Sequence, residues 1–576
     1  MYYATRGFHI FCSFLSLGAL AMSTISVQKT ESGHAAATPN VTTAPDSISD
    51  ILEYISAGWD TLTRTMNRCQ SLEDTKTGGD AVLYLPAEMA VPPSLAELQN
   101  YCRVRVEHLP KKITKSGEVD LGGIPTEGLL YLDNPYIVPG GQFNEMYGWD
   151  SYFIVRGLIR DHRLDLAKGM VENFFFEINH YGGVLNANRT YYLTRSQPPF
   201  LSSMVLAVYD AEKAEGKANL SWLENGYRLS LRDYDQWNQK PHLAGDTGLS
   251  RYFDHADGPV PEIMGDPSHY YRGAVYFFLA HDHAFNSYLV ADSDDRSKSA
   301  IQGPRFPVFV CNPETKDVGA SECAPTSWVT LSADYYKGDR SMRESGFDVT
   351  FRFGPFGAAT HHFAPVCLNS LLYKTERDFE RMNILMGHPE DARNWKNKAE
   401  ERRKRMIRYF WNEQQGLFFD YNFVSGKRSQ YEYATTFYPL WAGLASKAEA
   451  RAIARNLKLF EQAGGLAMSR TESQAQWDFP YGWAPIQLLA VEGLRRYGYN
   501  READRISRNF LSMIVENFQK DHTIREKYNV VTRSSETSVV EGYAQNVTGF
   551  GWTNAVFLEL LHGLSDGTTL SRKDQE

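Results

Sequence analysis

Residues 139–152 carry the first cluster of side chains that could do chemistry. A Pro-Gly-Gly turn runs into Gln142, Phe143, Glu145, Tyr147, Trp149, Asp150 and Tyr152. Glycines let backbone come close to a ligand. Aromatic faces beside carboxylates suit a sugar, which offers C–H faces and hydroxyls together. A turn leading into an amphipathic helix would have the same composition, so the stretch gains its meaning from the rest of the chain. Residues 186–199 form a loop dense in hydrogen-bond donors, including Asn186, Arg195 and Gln197. Residues 343–348 run Arg-Glu-Ser-Gly-Phe-Asp. Residues 476–485 pack Trp477, Asp478 and Trp483 together with two prolines, and residues 525–529 read Arg-Glu-Lys-Tyr-Asn ahead of Gly-Phe-Gly-Trp-Thr-Asn at 549–554.

These stretches, with 434–445 and in this order, resemble the motifs of the trehalase family, glycoside hydrolase family 37, across roughly residues 80–565. The resemblance implies an all-α fold, an (α/α)6 barrel with short strands and long loops over the active-site end. It implies hydrolysis of α,α-trehalose to two glucoses with inversion, without cofactor or metal. By position Asp348 matches the general acid and Glu526 the general base. One carboxyl must be protonated to donate to the leaving oxygen, and the other ionised to activate water on the opposite face, about 6.5–9.5 Å away. Apolar or like-charged surroundings should raise the acid's pKa, with Phe347 as a neighbour. Gln142, Phe143, Trp149, Asp150, Asn186, Arg195, Gln197, Glu262, Gly346, Trp477, Asp478 and Trp552 match sugar-binding positions. Outside that context Asp348 would read as a helix N-cap, Glu526 as a solvated acid and the tryptophans as core.

Three departures bear on substrate choice. Gln142 and Val260 stand where the family usually has arginine, and the glycine run before Glu541-Gly542-Tyr543 is lost. Losing two multi-donor forks weakens discrimination among sugars. Hydrolysis of another small α-glucoside therefore stays open, as does sugar binding without turnover. Retention of both Asp348 and Glu526 argues against the latter.

These groups need a scaffold, and the periodicity supplies one. Apolar residues recur at helical spacing through 49–70, 162–178, 200–214, 365–387, 389–410, 447–463, 482–497, 501–518 and 551–564. In 365–387, Leu368, Leu371, Leu372, Phe379, Met382 and Leu385 share one face. Strand signals are short, as at 416–421, and residues 71–145 are rich in loops. Long helices without βαβ alternation predict paired helices closed into a ring. The expected division is a signal peptide and lead-in at 1–37, a helical extension at 38–79, a catalytic domain at 80–565 and a tail at 566–576.

The 576 residues include 60 Lys+Arg against 69 Asp+Glu, a net charge of −9. That gives no electrostatic case for nucleic acid or an anionic membrane. A small-molecule disaccharide and a monomeric state are expected. Arg6 followed by an apolar run over 8–22 reads as an export signal, implying a secreted or periplasmic protein. Among the six cysteines, Cys69 with Cys102 and Cys311 with Cys323 could pair, while Cys367 reads as a buried thiol. Asn40 and Asn219 would be glycosylation acceptors in a eukaryotic secretory route. His361-His362 reads as a loop pair, because no third ligand sits at a standard metal spacing. Phosphate-binding, serine-hydrolase and zincin motifs are absent from the sequence.

Overall fold

A computed structural model describes residues 45–73, 81–262, 267–281, 287–291, 303–309 and 325–571. Six helices form an inner ring in chain order: Asp150–Arg160, Leu201–Ala214, Val366–Leu385, Tyr438–Trp441, Ala484–Arg496 and Gly551–Ser571. Each packs on the next, and the last closes on the first. The helices Leu164–His180, Leu220–Trp237, Pro389–Phe410, Lys447–Asn456 and Asn500–Asp521 follow the first five inner helices as outer partners. The sixth outer place is taken by Pro45–Leu62, which packs on the last two helices. This is the expected (α/α)6 barrel.

Local sequence explains the elements. Inner helices must be apolar nearly all round, and Ala484–Arg496 buries ten residues, from Ala484 to Leu494. Outer helices are one-sided: Pro389–Phe410 buries Ala392, Ala399, Arg402, Met406 and Phe410. That helix starts on Pro389, with Glu390 and Asp391 in its first turn, where acids complement the helix dipole. Ser446 and Glu449 make a reciprocal capping box ahead of Lys447–Asn456.

Two strand features position functional residues. Tyr481–Trp483 pairs antiparallel with Lys527–Asn529, setting Trp483 opposite Lys527. A three-stranded parallel sheet, Val104–His108, Ala81–Leu85 and Leu129–Leu130, occupies the region expected to be loop-rich.

The compact units divide the chain elsewhere than at residue 80. One unit spans Thr43–Met264 and Asp334–Glu576, so the helix expected as an N-terminal extension belongs to the barrel. The other contains Gly265–Ala333, with the helix Pro267–Ala280 and the antiparallel strands Leu289–Ala291, Phe306–Phe309 and Pro325–Leu331. The periodicity missed Leu220–Trp237 and Ala333–Glu344, whose polar composition dilutes the apolar stripe. Residues 460–463 leave the helical pattern for a short hairpin, with Glu461 paired to Leu466.

Cys69 and Cys102 are disulfide-bonded and Cys367 is a buried free thiol. Cys311, Cys323, Asn40 and the apolar N-terminal run lie outside the described residues. Asn219 caps the helix Leu220–Trp237 by accepting from the Trp222 N–H. Among the described residues no helix is long and apolar enough to cross a membrane.

Candidate active site

Asp348 sits on the loop that leaves the helix Ala333–Glu344. Gly346 turns the chain there at φ +76°, and a Cβ on it would stand 2.9 Å from the Trp149 indole. Only glycine meets both demands, which accounts for its place two residues before the acid. Burial pushes the Asp348 carboxyl up to about 6, against the Arg343 guanidinium, whose Nη1 lies 3.5 Å from Oδ2. Glu262 adds to the rise, while Arg195 opposes it.

The segment after Asp348 is held by the second tryptophan motif. Trp477 N–H donates to the Val349 carbonyl at 3.1 Å. Asp478 is fully buried, and its carboxylate accepts from Thr350 Oγ1 (2.8 Å), Phe351 N–H (2.8 Å) and Ser473 Oγ (2.5 Å). Burial raises Asp478 to about 6, and these donors work against the rise. The sequence placed Asp478 on the sugar. In the structure its oxygens organise the segment that carries Asp348.

Glu526 immediately precedes the strand Lys527–Asn529. Its backbone N–H donates to Val547 at 3.0 Å, and its carbonyl accepts from the Trp552 indole at 3.3 Å. Its carboxylate accepts from Lys527 Nζ at 3.3 Å and is 14% exposed, so a small ligand can reach it.

Asp150, the first residue of its helix, ties the two acids to one place. Burial holds its carboxyl far above the usual carboxylate range, and the charges of Glu526 and Asp348 both push in the same direction. The three carboxyls thus lie within electrostatic reach of one another.

Aromatic rings form its wall. Trp149 lies 5.6 Å from Phe347, 5.8 Å from Trp477 and 5.5 Å from Trp552, centroid to centroid. Trp477 stacks on Trp483 at 3.8 Å. All five rings are buried and pack on one another, mostly edge to face.

A guanidinium cluster completes the arrangement. Arg195 donates to Asn186 Oδ1 at 2.8 Å and Glu262 Oε1 at 2.5 Å, with its fork 4.9 Å over the Tyr192 ring. Arg343 donates to the Tyr543 hydroxyl at 2.9 Å and lies 3.8 Å from Glu262. Burial works to raise Glu262, but Arg195, Arg343 and Arg340 together hold its carboxyl below its ordinary range.

The other residues matched to sugar-binding positions have these surroundings. Gln142 lines a cleft of ≈ 860 Å³ with Lys520, Asp521, Arg525 and Asn546. Gln197 Oε1 accepts the Trp149 N–H at 2.9 Å, so it shapes the turn before Asp150. Phe143 packs edge-on against Tyr147 at 5.6 Å. Val260 is buried. Arg340 donates to the adjoining Gly258 and Pro259 carbonyls at 2.7 and 2.6 Å, so a guanidinium reaches this loop from another element.

Sequence reasoning did not single out Arg343, Gln476, Lys527 or Tyr543. Arg343 had one available signal, a cation one and a half helical turns before an acid. The other three are recognisable only by what they touch.

The histidine pair acquires a third group in space. His361 and His362 place Nε2 at 2.9 and 3.3 Å from Asp334 Oδ1. The buried Nδ1 of His361 has no hydrogen-bond partner, whereas metal-bound imidazoles have that nitrogen oriented by an acceptor. The cluster joins the start of Ala333–Glu344 to the loop beyond Asp348.

Comparison with known proteins identifies the family. The family model described as Trehalase matches residues 45–273 and 330–565. The cytosolic neutral trehalase of Saccharomyces cerevisiae is 36% identical over 506 residues, covering 79% of this chain and 62% of that protein. The cytosolic neutral trehalase of Neurospora crassa is 36% identical over 512 residues, covering 79% and 64%. This chain therefore spans a little over three-fifths of the length of those relatives. Among solved structures, neutral trehalase Nth1 from Saccharomyces cerevisiae superposes with a TM-score of 0.71 at 33% identity, covering 90% of this chain and 94% of that one. These names correct one expectation. Export, with its signal peptide and secreted or periplasmic location, was drawn from residues 1–22, and relatives matching most of the chain are named cytosolic.

Proposed function

The chain belongs to the trehalase family, and on that premise we propose that it hydrolyses α,α-trehalose to two glucose molecules with inversion. The observation that carries the reading is the run of contacts that joins the two carboxyls, from Asp348 to Arg343, Arg343 to Tyr543, Tyr543 to Lys527 and Lys527 to Glu526. Asp348, protonated, donates to the glycosidic oxygen as the C1–O bond breaks. Glu526, ionised, takes a proton from water as the water oxygen bonds to C1 from the opposite face. One glucose leaves as the α anomer and the other forms as β.

Asp150, Arg195 and Arg343 supply hydrogen-bonding groups for sugar hydroxyls, and Trp149, Trp477 and Trp552 the apolar faces. Asn186, Gln197, Gly346 and Asp478 position that shell. Glu262 neutralises the two guanidinium groups, and Phe143 supports the wall through Tyr147. The proposed compartment is the cytosol, after the names of the relatives, and cell fractionation tests it. We propose a monomer acting on a small disaccharide, which light scattering of the purified chain checks.

Proton NMR with trehalose tests the reaction. Signals of β- and α-glucose should grow together from the first minutes, before mutarotation mixes them. Early α-glucose alone would contradict inversion. A second reading, another small α-glucoside as substrate, is favoured by Val260, which lies buried where the family resemblance leads one to expect an arginine. A panel of α-glucosides ranked by kcat/KM separates the two.

The pH dependence follows from Asp348. A general acid works only while protonated, and its carboxyl is raised to about 6. kcat/KM should therefore fall as pH rises through that value, about tenfold per unit above it. Because Arg343 opposes the rise, Arg343→Met should carry this limb to higher pH. An unmoved limb would show that another group controls it.

A further inference from the structure

Gln476 is 2% exposed and lies between the Asp348 backbone and the Lys527 ammonium. Its Nε2 donates to the backbone carbonyl of Asp348. Its Oε1 accepts from Lys527 Nζ at 3.0 Å and from Tyr543 N–H at 3.2 Å. The Lys527 side chain has no exposure, and its ammonium also lies 3.3 Å from Glu526 Oε2, 2.9 Å from the Tyr543 carbonyl and 3.2 Å from the Gln545 carbonyl. A continuous path thus runs from the Asp348 backbone through one amide and one ammonium to the Glu526 carboxylate.

We infer that Gln476 and Lys527 are positioning residues that set the separation and orientation of Asp348 and Glu526. The inference rests on the inverting-hydrolase reading and adds to it the device that holds its two carboxyls apart.

The physical case has three parts. A primary amide has a fixed donor side and a fixed acceptor side, so Gln476 can satisfy a carbonyl and an ammonium at once only in one orientation. The Lys527 ammonium is buried, and a buried cation persists where acceptors and an opposite charge surround it. Two backbone carbonyls, the Gln476 amide and Glu526 meet that need. The path also bridges elements that are otherwise remote, the loop beyond the helix Ala333–Glu344 and the strand Lys527–Asn529. Trp483 locks the middle of it, since its indole donates to the Gln476 carbonyl at 2.9 Å and its ring lies 5.5 Å from Lys527 Nζ. Gly542 keeps room for the amide, because a Cβ there would stand 2.8 Å from Gln476 Cγ and Cδ. Inversion leaves one water between sugar and base, and a misplacement near 1 Å costs on the order of a hundredfold in rate.

The test is steady-state kinetics of the full chain on trehalose, with Gln476→Glu, Lys527→Met and Lys527→Arg. Gln476→Glu keeps the shape but cannot donate to the Asp348 carbonyl when ionised. It should lower kcat about tenfold or more with KM within about threefold. Lys527→Met removes the ammonium facing Glu526, leaving the titratable carboxyl of Asp150 as its electrostatic neighbour. It should lower kcat about a hundredfold and move the acidic limb of kcat/KM to higher pH. Lys527→Arg retains the charge and should restore that limb. A purely structural role would lower stability without moving the limb. If Lys527→Met does not fold, Gln476→Glu decides by its kcat and Lys527→Arg by its limb. Wild-type kcat in Gln476→Glu, or a loss confined to KM, would overturn the inference while leaving the hydrolase reading intact. If the unsubstituted chain releases no β-glucose from trehalose, the hydrolase reading fails and this inference with it.

Discussion

Asp348→Asn and Glu526→Gln should each lower kcat on trehalose by about a thousandfold, within the ~10²–10⁴ range of general acid or base catalysis. A thousandfold corresponds to about 4 kcal/mol of transition-state stabilisation. Both substitutions keep side-chain volume, and the groups that hold the backbone, Gln476 at Asp348 and Val547 at Glu526, remain in place. Thermal unfolding midpoints should therefore stay near that of the parent. The two roles separate on α-glucosyl fluoride, whose leaving group needs little protonation. There the loss in Asp348→Asn should shrink, while the loss in Glu526→Gln persists, because water must still be activated. Near-normal turnover of trehalose by either variant would remove that residue from its assigned role.

Arg352→Leu should destabilise the barrel by about 3–5 kcal/mol, the cost of leaving one member of a buried ion pair alone. Arg352 donates to Asp420 through Nε and Nη2, each at 2.6 Å, with side-chain exposures of 0% and 2%. Asp420 also accepts the Val366 N–H at 2.8 Å, at the start of an inner helix. The guanidinium rests over Phe353 and Tyr433 at 4.6 and 4.7 Å. Truncation would strand a carboxylate in that apolar setting. Total stabilities of ordinary domains are about 5–15 kcal/mol, so the urea midpoint should fall visibly. Arg352→Leu with Asp420→Leu should recover part of the loss, since the orphaned charge goes too. An unchanged midpoint in the single variant would mean that water reaches Asp420.

Much of the scaffold was legible before folding, for a reason visible in individual elements. The helix Val366–Leu385 buries Leu368, Leu371, Leu372, Phe379 and Met382, the face its periodicity marked. A 3.6-residue repeat is a local property, so the chain carries it in plain view. The helix Ala333–Glu344 was not marked, although it buries most of its length. Its buried residues include Asp339, Arg340, Arg343 and Glu344, satisfied by one another and by distant loops. Polar burial leaves no apolar stripe to read.

The amino-acid sequence by itself determined the family resemblance, the paired-helix architecture and which two carboxyls are candidates for acid and base. Tertiary structure alone decided what each polar group spends its hydrogen bonds on. Asp478 and Gln197 matched sugar-binding positions, yet Thr350, Phe351 and Ser473 occupy the first, and the Trp149 N–H the second. Gln142 stands in the first motif but lines another cleft, because its turn packs beside Val547 and Phe550. Gln476 and Lys527 lie 51 residues apart and meet because Tyr481–Trp483 pairs with Lys527–Asn529. Such partnerships are made between loops with no period, across separations that no local pattern records. Their geometry exists only once the ring of helices has closed and brought the loops together.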